Sequence, residues 1–366
     1  MQFTLHADER AVVQAVAAFA ASQLRPAAAK ADVAGKVEPA LWAKLAELGV
    51  FGLLAAEDDG GLAVSATAWV ACLQALAAAD AGVALAVAEH GVAGQVLAAA
   101  GWQPERRSDL AAGKRLATVA HFGHASHLDA TATGAGAKCQ DGAWLITGSK
   151  DWVPAGAAAH WAIVGADGPQ GLAWFAVSAD QVEVVRQSVG EQLGLRSVAA
   201  AAWRLSGAVG DALQPVADQR VQAWQELSTA AVAVGVAQAA LRAGGRYAQE
   251  RVQFGAPIAQ LQPIQLQIAD SAVACDVAQL LVAKAAWQLD CDAQCKPMTL
   301  LAVHQAKIAA SHAAVACADR AVQIHGGYGY TRDFPVERAM RDAAVLQVLH
   351  GTPARCKTLA ARQLAA

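Results

Sequence analysis

Aromatic residues are scarce in this chain of 366 residues, at 5%, and charged residues reach only 16%. Lysine and arginine never cluster in a run. The net charge of −3 and a pI near 6.4 leave no basic field to hold a polyanion, so no nucleic-acid partner is expected. The seven cysteines are odd in number and lack framework spacing, which fits reduced thiols better than a disulfide scaffold. Cys291 and Cys295 form the one close pair, and without a second pair at ligand spacing they do not make a zinc site. The opening MQFTLHADER puts Asp8 and Glu9 where a secretion signal needs apolar residues, so the expected compartment is the cytoplasm. Residues 61–79 carry no charge, but their Ser, Thr, Gln and many alanines partition poorly into lipid. They read as a buried helix, and no membrane span is expected.

Alanine and the aliphatic residues are plentiful, and 55% of the chain is hydrophobic. Alanine loses no side-chain entropy in a helix, so a mainly helical protein is expected, long enough to bury a large core. Val12, Val16, Phe19 and Leu24 recur at helical spacing before Pro26, which the pattern takes as the end of that helix. Leu41, Leu45 and Leu48 mark a second helix that Gly49 terminates. Past about residue 113 the texture changes. AWLITGSKDWV, HWAIVGA, GLAWFAVSA and VEVVRQ are short, β-branched or aromatic, and divided by Gly, Asp and Pro, as strands are. Six of the ten tryptophans fall between Trp144 and Trp224, enough broad apolar faces for a compact β unit. Helical texture returns over 222–250, 262–290, 298–323 and 335–349, lengths suited to a bundle. The expected domains are therefore 1–113 helical, 114–219 β and 220–366 a helical bundle.

Two stretches carry chemistry. In RYAQERVQFGAPIAQLQPIQLQIAD (246–270) Arg251 offers a planar fork suited to a pyrophosphate. In AVQIHGGYGYTRDFPVERAMRDA (321–343) Gly326, Gly327 and Gly329 permit close backbone approach to a ligand. Near the C-terminus His350 precedes Gly351 and Thr352, and a histidine is a natural proton acceptor near neutrality.

Together these stretches closely resemble acyl-CoA dehydrogenases. The first matches their Arg-x-x-Phe-Gly…Gln signature, the second their Gln-x-x-Gly-Gly-x-Gly-Tyr segment with its downstream Pro-x-x-Arg, and HGT stands where the family writes Glu-Gly-Thr. LAAEDDGG (54–61) and LGLRS (193–197) are weaker matches in the same order. The resemblance implies an N-terminal helical domain, a middle β-sandwich or barrel and a C-terminal four-helix bundle, with FAD between subunits. It implies that Arg251, Phe254, Gly255, Gln262, Gln323, Gly326 and Gly327 hold the ADP end of a neighbouring subunit's FAD. Trp152 and Thr352 fall at cofactor-contacting positions of the subunit's own half-site.

That own half-site departs from the family pattern. The family's Thr-Glu-Pro ahead of Gly-x-Gly-Ser-Asp is replaced by a segment beginning Ala120 and His121, and its Trp-Ile-Thr becomes Trp152, Val153 and Pro154. An arginine that touches CoA in the family is replaced by Glu226, a charge reversal. An acidic or amide position becomes Ala354, and the catalytic glutamate becomes His350. The base that some members carry on the helix after the β-domain aligns with Gln225, one residue and about 100° from Glu226. His121, His124 and His127 have no carboxylate or cysteine spaced with them, so no metal is expected there.

All the substitutions lie in the half-site a subunit builds for itself. The expected role is therefore a non-catalytic subunit of a heteromeric acyl-CoA dehydrogenase, a heterodimer or α2β2, whose partner supplies the glutamate and binds acyl-CoA. Heterotetrameric members acting on steroid side-chain thioesters are the pattern for it. The alternatives are a homo-oligomeric dehydrogenase using His350 as its base, or a flavin monooxygenase on the same fold.

Overall fold

Residues 3–121, 133–213, 218–292 and 294–365 are described by a computed structural model. The N-terminal part is helical, as alanine's propensity demands. Helix α1 (Ala7–Phe19) starts from a capping box in which Glu9 answers the backbone of His6. Contrary to the sequence expectation, Pro26 does not end this run. A five-residue π-helical turn over Ala20–Leu24 leads straight into α2 (Arg25–Ala34). The wider turn absorbs both the missing proline N–H and its clash with the preceding turn, and Pro26 falls within the first turn of α2, where proline is tolerated. Helix α3 (Pro39–Glu47) follows, and Gly49 takes the left-handed conformation just beyond it, at φ +79°. Helices α4 (Ala66–Ala77), α5 (Ala81–Ala99) and α6 (Pro104–Ala111) complete the segment.

The β unit contains β1 (Ala117–Ala120), β2 (Ala135–Gln140), β3 (Ala143–Val153), β4 (Trp161–Gly168), β5 (Gly171–Ser178), β6 (Val184–Ser188) and β7 (Ala201–Leu213). The hydrogen-bonded path β1-β4-β2-β3-β7-β5 returns to β4 through a β4–β5 pairing, so the sheet closes on itself. Bulges on β3 near Thr147 and Val153 help it curve. Strand β7, central to this closure, lies outside the stretches the sequence picks out, because its alanines mask the strand pattern. Inside the closed sheet Lys150 is fully buried. Its Nζ donates to the carbonyls of His121 and Gly165, each at 2.6 Å, and of Thr133, and burial holds its pKa down at about 7.

After the β unit, α7 (Asp218–Glu250) is a single helix of 33 residues. The hairpin β8 (Val252–Gln253) and β9 (Ala256–Pro257) leads to α8 (Gln262–Cys291), α9 (Pro297–His325), α10 (Val336–Val348) and α11 (Pro353–Ala365). The two helical segments share one apolar core, with Leu73, Leu76, Leu85, Leu227, Val234 and Leu346 in the same cluster. Asp290 of α8 reinforces that union by accepting from the backbone N–H of Ala66 at 2.6 Å and from the hydroxyl of Thr67 at 2.9 Å. His90 of α5 likewise accepts from the Ala117 N–H at 3.1 Å and lies 3.2 Å from the Leu110 carbonyl, tying helices to sheet.

Stretches of α5, α7 and α8 are long and apolar enough to cross a bilayer, but those of α5 and α7 are 83% and 72% buried in the fold. In α8 the corresponding share is 22%. Leu266, Val273, Val277 and Leu280 point outward from it, a contiguous apolar face of the kind that marks an interaction surface.

The close crossing of α4 and α7 depends on Gly235, where a Cβ would stand 2.5 Å from the Gln74 carbonyl and 2.7 Å from the Ala77 methyl. At Gly245 of the same helix a Cβ meets nothing within 4 Å. Gly245→Ala is therefore expected to stabilise the protein by about 0.5–1 kcal/mol through helix propensity, whereas Gly235→Ala should destabilise it by about 1–3 kcal/mol through overpacking. Urea unfolding of both variants checks the contrast, and equal signs would refute the crossing geometry.

Candidate cofactor and catalytic site

The residues singled out in the sequence separate into two places of opposite character. Arg251, Phe254, Gly255, Gln262, Gln323, Gly326 and Gly327 all lie on the exposed surface, at the junction of the β8–β9 hairpin with the end of α9. Phe254 and Gly255 form the hairpin's two-residue turn with φ of +54° and +82°, the pair of positive angles that a type I′ turn requires. Glycine adopts this readily, but for phenylalanine it is strained, and Phe254 is nevertheless 93% exposed. Beside it a shallow cavity of about 460 Å³ is lined by Arg251, Gln253, Gly326, Gly327, Tyr328 and Thr331, among others.

Aromatic packing supports this cavity from below. Tyr247 stacks on His325 at 4.1 Å, Phe334 closes both rings edge-on, and His325 Nδ1 lies 2.7 Å from the Ala321 carbonyl. Gly326 ends α9 at φ +59°, and Cβ positions at Gly326 and Gly327 face open space. The Arg251 guanidinium lies 6.0 Å over the Tyr328 ring. A cationic fork, two bare glycine backbones and exposed aromatic rings suit the pyrophosphate and adenosine of a dinucleotide. The residues present therefore fit the ADP end of FAD.

His350 belongs to the second place. Its φ of +53° and that of Gly351, +123°, form the sharp turn between α10 and α11, and this turn aims the ring inward until the residue is 7% exposed. The imidazole meets residues of α7 and α5. Thr229 Oγ1 lies 2.8 Å from Nδ1, while Gln225 Nε2 and Glu89 Oε1 each lie 3.2 Å from Nε2. Because the Thr229 hydroxyl donates to the Gln225 carbonyl at 2.8 Å, it has only a lone pair left for the ring. Nδ1 therefore carries the proton, and Nε2 accepts. The Gln225 amide also donates to Glu89 Oε2 at 3.1 Å.

Glu89 is 1% exposed, and burial pushes its carboxyl up to about 8, against a smaller downward pull from Gln225. Burial, then the Lys307 charge, hold His350 down at about 3. At neutral pH the cluster is thus an acid, a neutral imidazole, an amide and a hydroxyl, uncharged and satisfied within itself. A base needs a free lone pair within reach of its proton; the one on His350 is taken.

Glu226 does not confront a channel as the sequence comparison implied. It is 1% exposed and turned into the bundle, with Oε1 3.2 Å from Arg355 Nη1 and Oε2 2.6 Å from His304 Nδ1. The arginine lost from α7 is compensated from α11. Glu226, His304 and Cys356 converge within 4.8 Å of one another, a set of ligand types that zinc accepts. Here, however, Arg355 already occupies the carboxylate, and Lys307 lies close enough for its pKa, lowered to about 8 by burial, to feel both Glu226 and Cys356. The group is an ion-pair node.

Trp152 and Thr352 are half-buried and used locally. Trp152 Nε1 donates to Gln192 Oε1 at 2.8 Å, Thr352 Oγ1 accepts from the Arg355 backbone at 3.2 Å, and the Pro154 carbonyl accepts from Thr118 at 2.6 Å. Ala354 is exposed on α11. His121 packs on Trp174 at 4.8 Å between ring centres, and His124 and His127 lie outside the described residues. Sequence reasoning missed Glu89, Thr229, His304 and Arg355. Glu89 had a signal: it is the single acidic residue in a helix, Ala81–Ala99, without other charged side chains, and a carboxyl in such surroundings must find a partner.

Comparison with known proteins adds the following. The family description "Acyl-CoA dehydrogenase, N-terminal domain" matches residues 6–110, and "Acyl-CoA dehydrogenase, C-terminal domain" matches residues 217–365. The probable acyl-CoA dehydrogenase YngJ of Bacillus subtilis and the benzylmalonyl-CoA dehydrogenase of Aromatoleum aromaticum are each 30% identical, over the whole of both chains. Among solved structures, butyryl-CoA dehydrogenase from Megasphaera elsdenii superimposes over the full length of both chains with a TM-score of 0.91 at 26% identity. A chain of the ChsE4–ChsE5 complex from Mycobacterium tuberculosis does so with a TM-score of 0.88 at 25% identity, covering 100% of this chain and 99% of that one.

The buried acid at Glu89 has a measurable consequence. Its folded pKa lies above the unfolded value of about 4.5, so its contribution to stability is complete below that value and is lost as pH rises through about 8. Glu89→Gln removes this term. The melting temperature of the variant relative to the parent should climb between pH 6 and 9, by an amount on the order of a few kcal/mol of stability. A difference that stays flat across that range would show that Glu89 is not held protonated.

Proposed function

Since the chain belongs to the acyl-CoA dehydrogenase family, a family of FAD-dependent oxidoreductases, we propose that it is the catalytically incomplete subunit of a heteromeric acyl-CoA dehydrogenase. In this reading its exposed cradle completes the FAD site of a partner chain of the same family, and the partner provides both the acyl-CoA site and the base. The observation that carries the proposal is the contrast between the cradle and the His350 cluster. One is exposed, with Phe254 at a positive φ; the other is buried, neutral and closed.

Each half follows from its own chemistry. Arg251 presents two parallel N–H donors to a pyrophosphate, a charge-assisted pairing stronger than neutral hydrogen bonds. Gly326 and Gly327 let the backbone approach without a side chain between, and Phe254 offers its ring to the neighbour. FAD would supply the acceptor for a hydride from the acyl β-carbon. The matching step on the protein side is removal of the α-proton, for which a carboxylate in this family is the base. In this chain the position holds His350, whose Nε2 is already hydrogen-bonded and whose proton affinity is depressed by burial. Self-sufficient dehydrogenation through His350 is disfavoured on the same ground.

The exposed apolar outer face of α8 supports this reading, because such faces mark association surfaces, and the ChsE4–ChsE5 complex is a relative in which two named chains associate. The seven free thiols fit a reducing cytoplasm.

Purified alone, the chain is expected to hold substoichiometric flavin and to show no dye reduction with acyl-CoA thioesters. Recovered through an affinity tag with its partner, it should bring one FAD per two chains. Arg251→Gln should weaken flavin retention in that complex by about 10–100-fold, the worth of a charge-assisted pair. The variant His350→Glu should remain inactive in the isolated chain, because Glu89, Gln225 and Thr229 still occupy the space around the new carboxylate. A homomeric preparation that is fully flavinated and bleached by acyl-CoA overturns the proposal.

A further inference from the structure

A second cationic feature lies along the same helix, α7, as the cofactor cradle and shares no lining residue with it. Arg242 and Arg246 of α7, Arg25 at the start of α2 and Arg338 in the first turn of α10 line one cavity of about 150 Å³. Its floor is apolar, formed by Ala77 to Ala79, Val236 and Val336 among others. None of the four guanidiniums has a carboxylate within 4.0 Å, nor any other hydrogen bond, among the described residues. Several other arginines do find an acid: Arg341 pairs with Asp32 at 2.8 Å, Arg355 with Glu226 at 3.2 Å, Arg107 with Asp59 at 3.1 Å.

The one acid lining the cavity, Asp342, forms no ion pair with these four arginines. Asp342 is buried, its Oδ1 accepts from the Leu195 N–H at 2.6 Å, and burial pushes its carboxyl up to about 7. Asp80, close enough to be influenced by Arg338, is engaged with Ser197 and with the Val83 N–H, and burial raises its pKa too. Partial burial and then the Arg25 charge hold Arg242 below the ordinary guanidinium value, as expected where like charges face each other unrelieved.

We infer that this cavity is an anion site that takes a phosphate group, either inorganic phosphate or the terminal phosphate of a phosphomonoester. Four planar forks around one small space can bind a tetrahedral dianion from several sides at once. At about 30 Å³ per water molecule the cavity has room for about five waters, which admits a single phosphate and leaves the rest of a larger ligand outside. The inference is independent of the subunit role proposed above, since that role uses Arg251 and the Gly326–Gly327 backbone.

Thermal unfolding of the full chain at pH 7.5 provides the test, with phosphate, glycerol 3-phosphate, ADP, acetate and chloride compared at matched ionic strength. Phosphate should raise the melting temperature saturably where chloride and acetate do not. A larger effect of glycerol 3-phosphate than of phosphate identifies a phosphomonoester as the preferred ligand; equal effects identify the free ion. The double variant Arg25→Gln/Arg242→Gln should weaken the response by at least about tenfold in concentration, while Arg251→Gln should leave it unchanged. The inference is overturned if phosphate gives no saturable shift, if the double variant responds as the parent does, or if acetate matches phosphate, which would assign the pocket to a carboxylate. A response abolished by Arg251→Gln instead would place the phosphate in the cofactor cradle and equally overturn it. The melting temperature of the ligand-free double variant controls for folding.

Discussion

Removing polar groups from water is the constraint on which the interior of this protein turns. Helix α7 carries Gln225, Glu226, Ser228 and Thr229 within five buried residues, and each must find a partner because an unpaired buried group costs about 1–3 kcal/mol or more. Four helices supply those partners, Trp69 of α4 donating to the Ser228 hydroxyl at 3.0 Å. Glu89 comes from α5, His304 from α9 and Arg355 from α11, while the turn ahead of α11 contributes His350. The result is two adjoining networks with different electrical character, one neutral around His350 and one ionic around Glu226. They lock the turn carrying His350, Gly351 and Thr352 against the bundle. The chemistry of that turn is set by this satisfaction of donors and acceptors, and a ring whose lone pair is taken is a structural element.

The cradle obeys the opposite logic. Its hairpin turn strains a phenylalanine and exposes it, and its glycines hold bare backbone toward solvent. Strain of that kind persists where something outside the local structure gains from it. The stacked Tyr247 and His325 and the edge-on Phe334 keep the surface rigid while it waits for a ligand. Rigid surfaces bind with less loss of entropy than mobile ones. One polypeptide therefore combines an interior whose polar groups are satisfied with a surface cradle that leaves backbone and aromatic rings exposed.

Much of this was legible residue by residue. The segments 222–250, 262–290, 298–323 and 335–349 correspond to α7 through α10, since periodic apolar spacing over long spans is a strong signal. The signature residues from Arg251 to Gly327 meet on one surface because they flank a hairpin and a helix end. Other readings failed for identifiable reasons. Pro26 was taken as a stop, but a π turn lets the helix continue around it. Strand β7 escaped notice because alanine reports on helix propensity and says little about a strand packed on both sides. Glu226 looked like a reversed charge facing a ligand; that view lacked Arg355, which lies 129 residues away in sequence.

The sequence by itself determined the family, the order of helical and β segments, and which residues stand where a base and a cofactor contact are needed. Those properties rest on residue identity and local periodicity, both of which are written along the chain. Tertiary structure alone decided that Glu89 meets His350, that Thr229 sets the ring's tautomer, and that Glu226 turns inward. Those pairings span 121 to 136 residues, or more where α5 meets the last turn. No local pattern encodes them, because the partner of a buried polar group is chosen by the packing of helices that desolvates both.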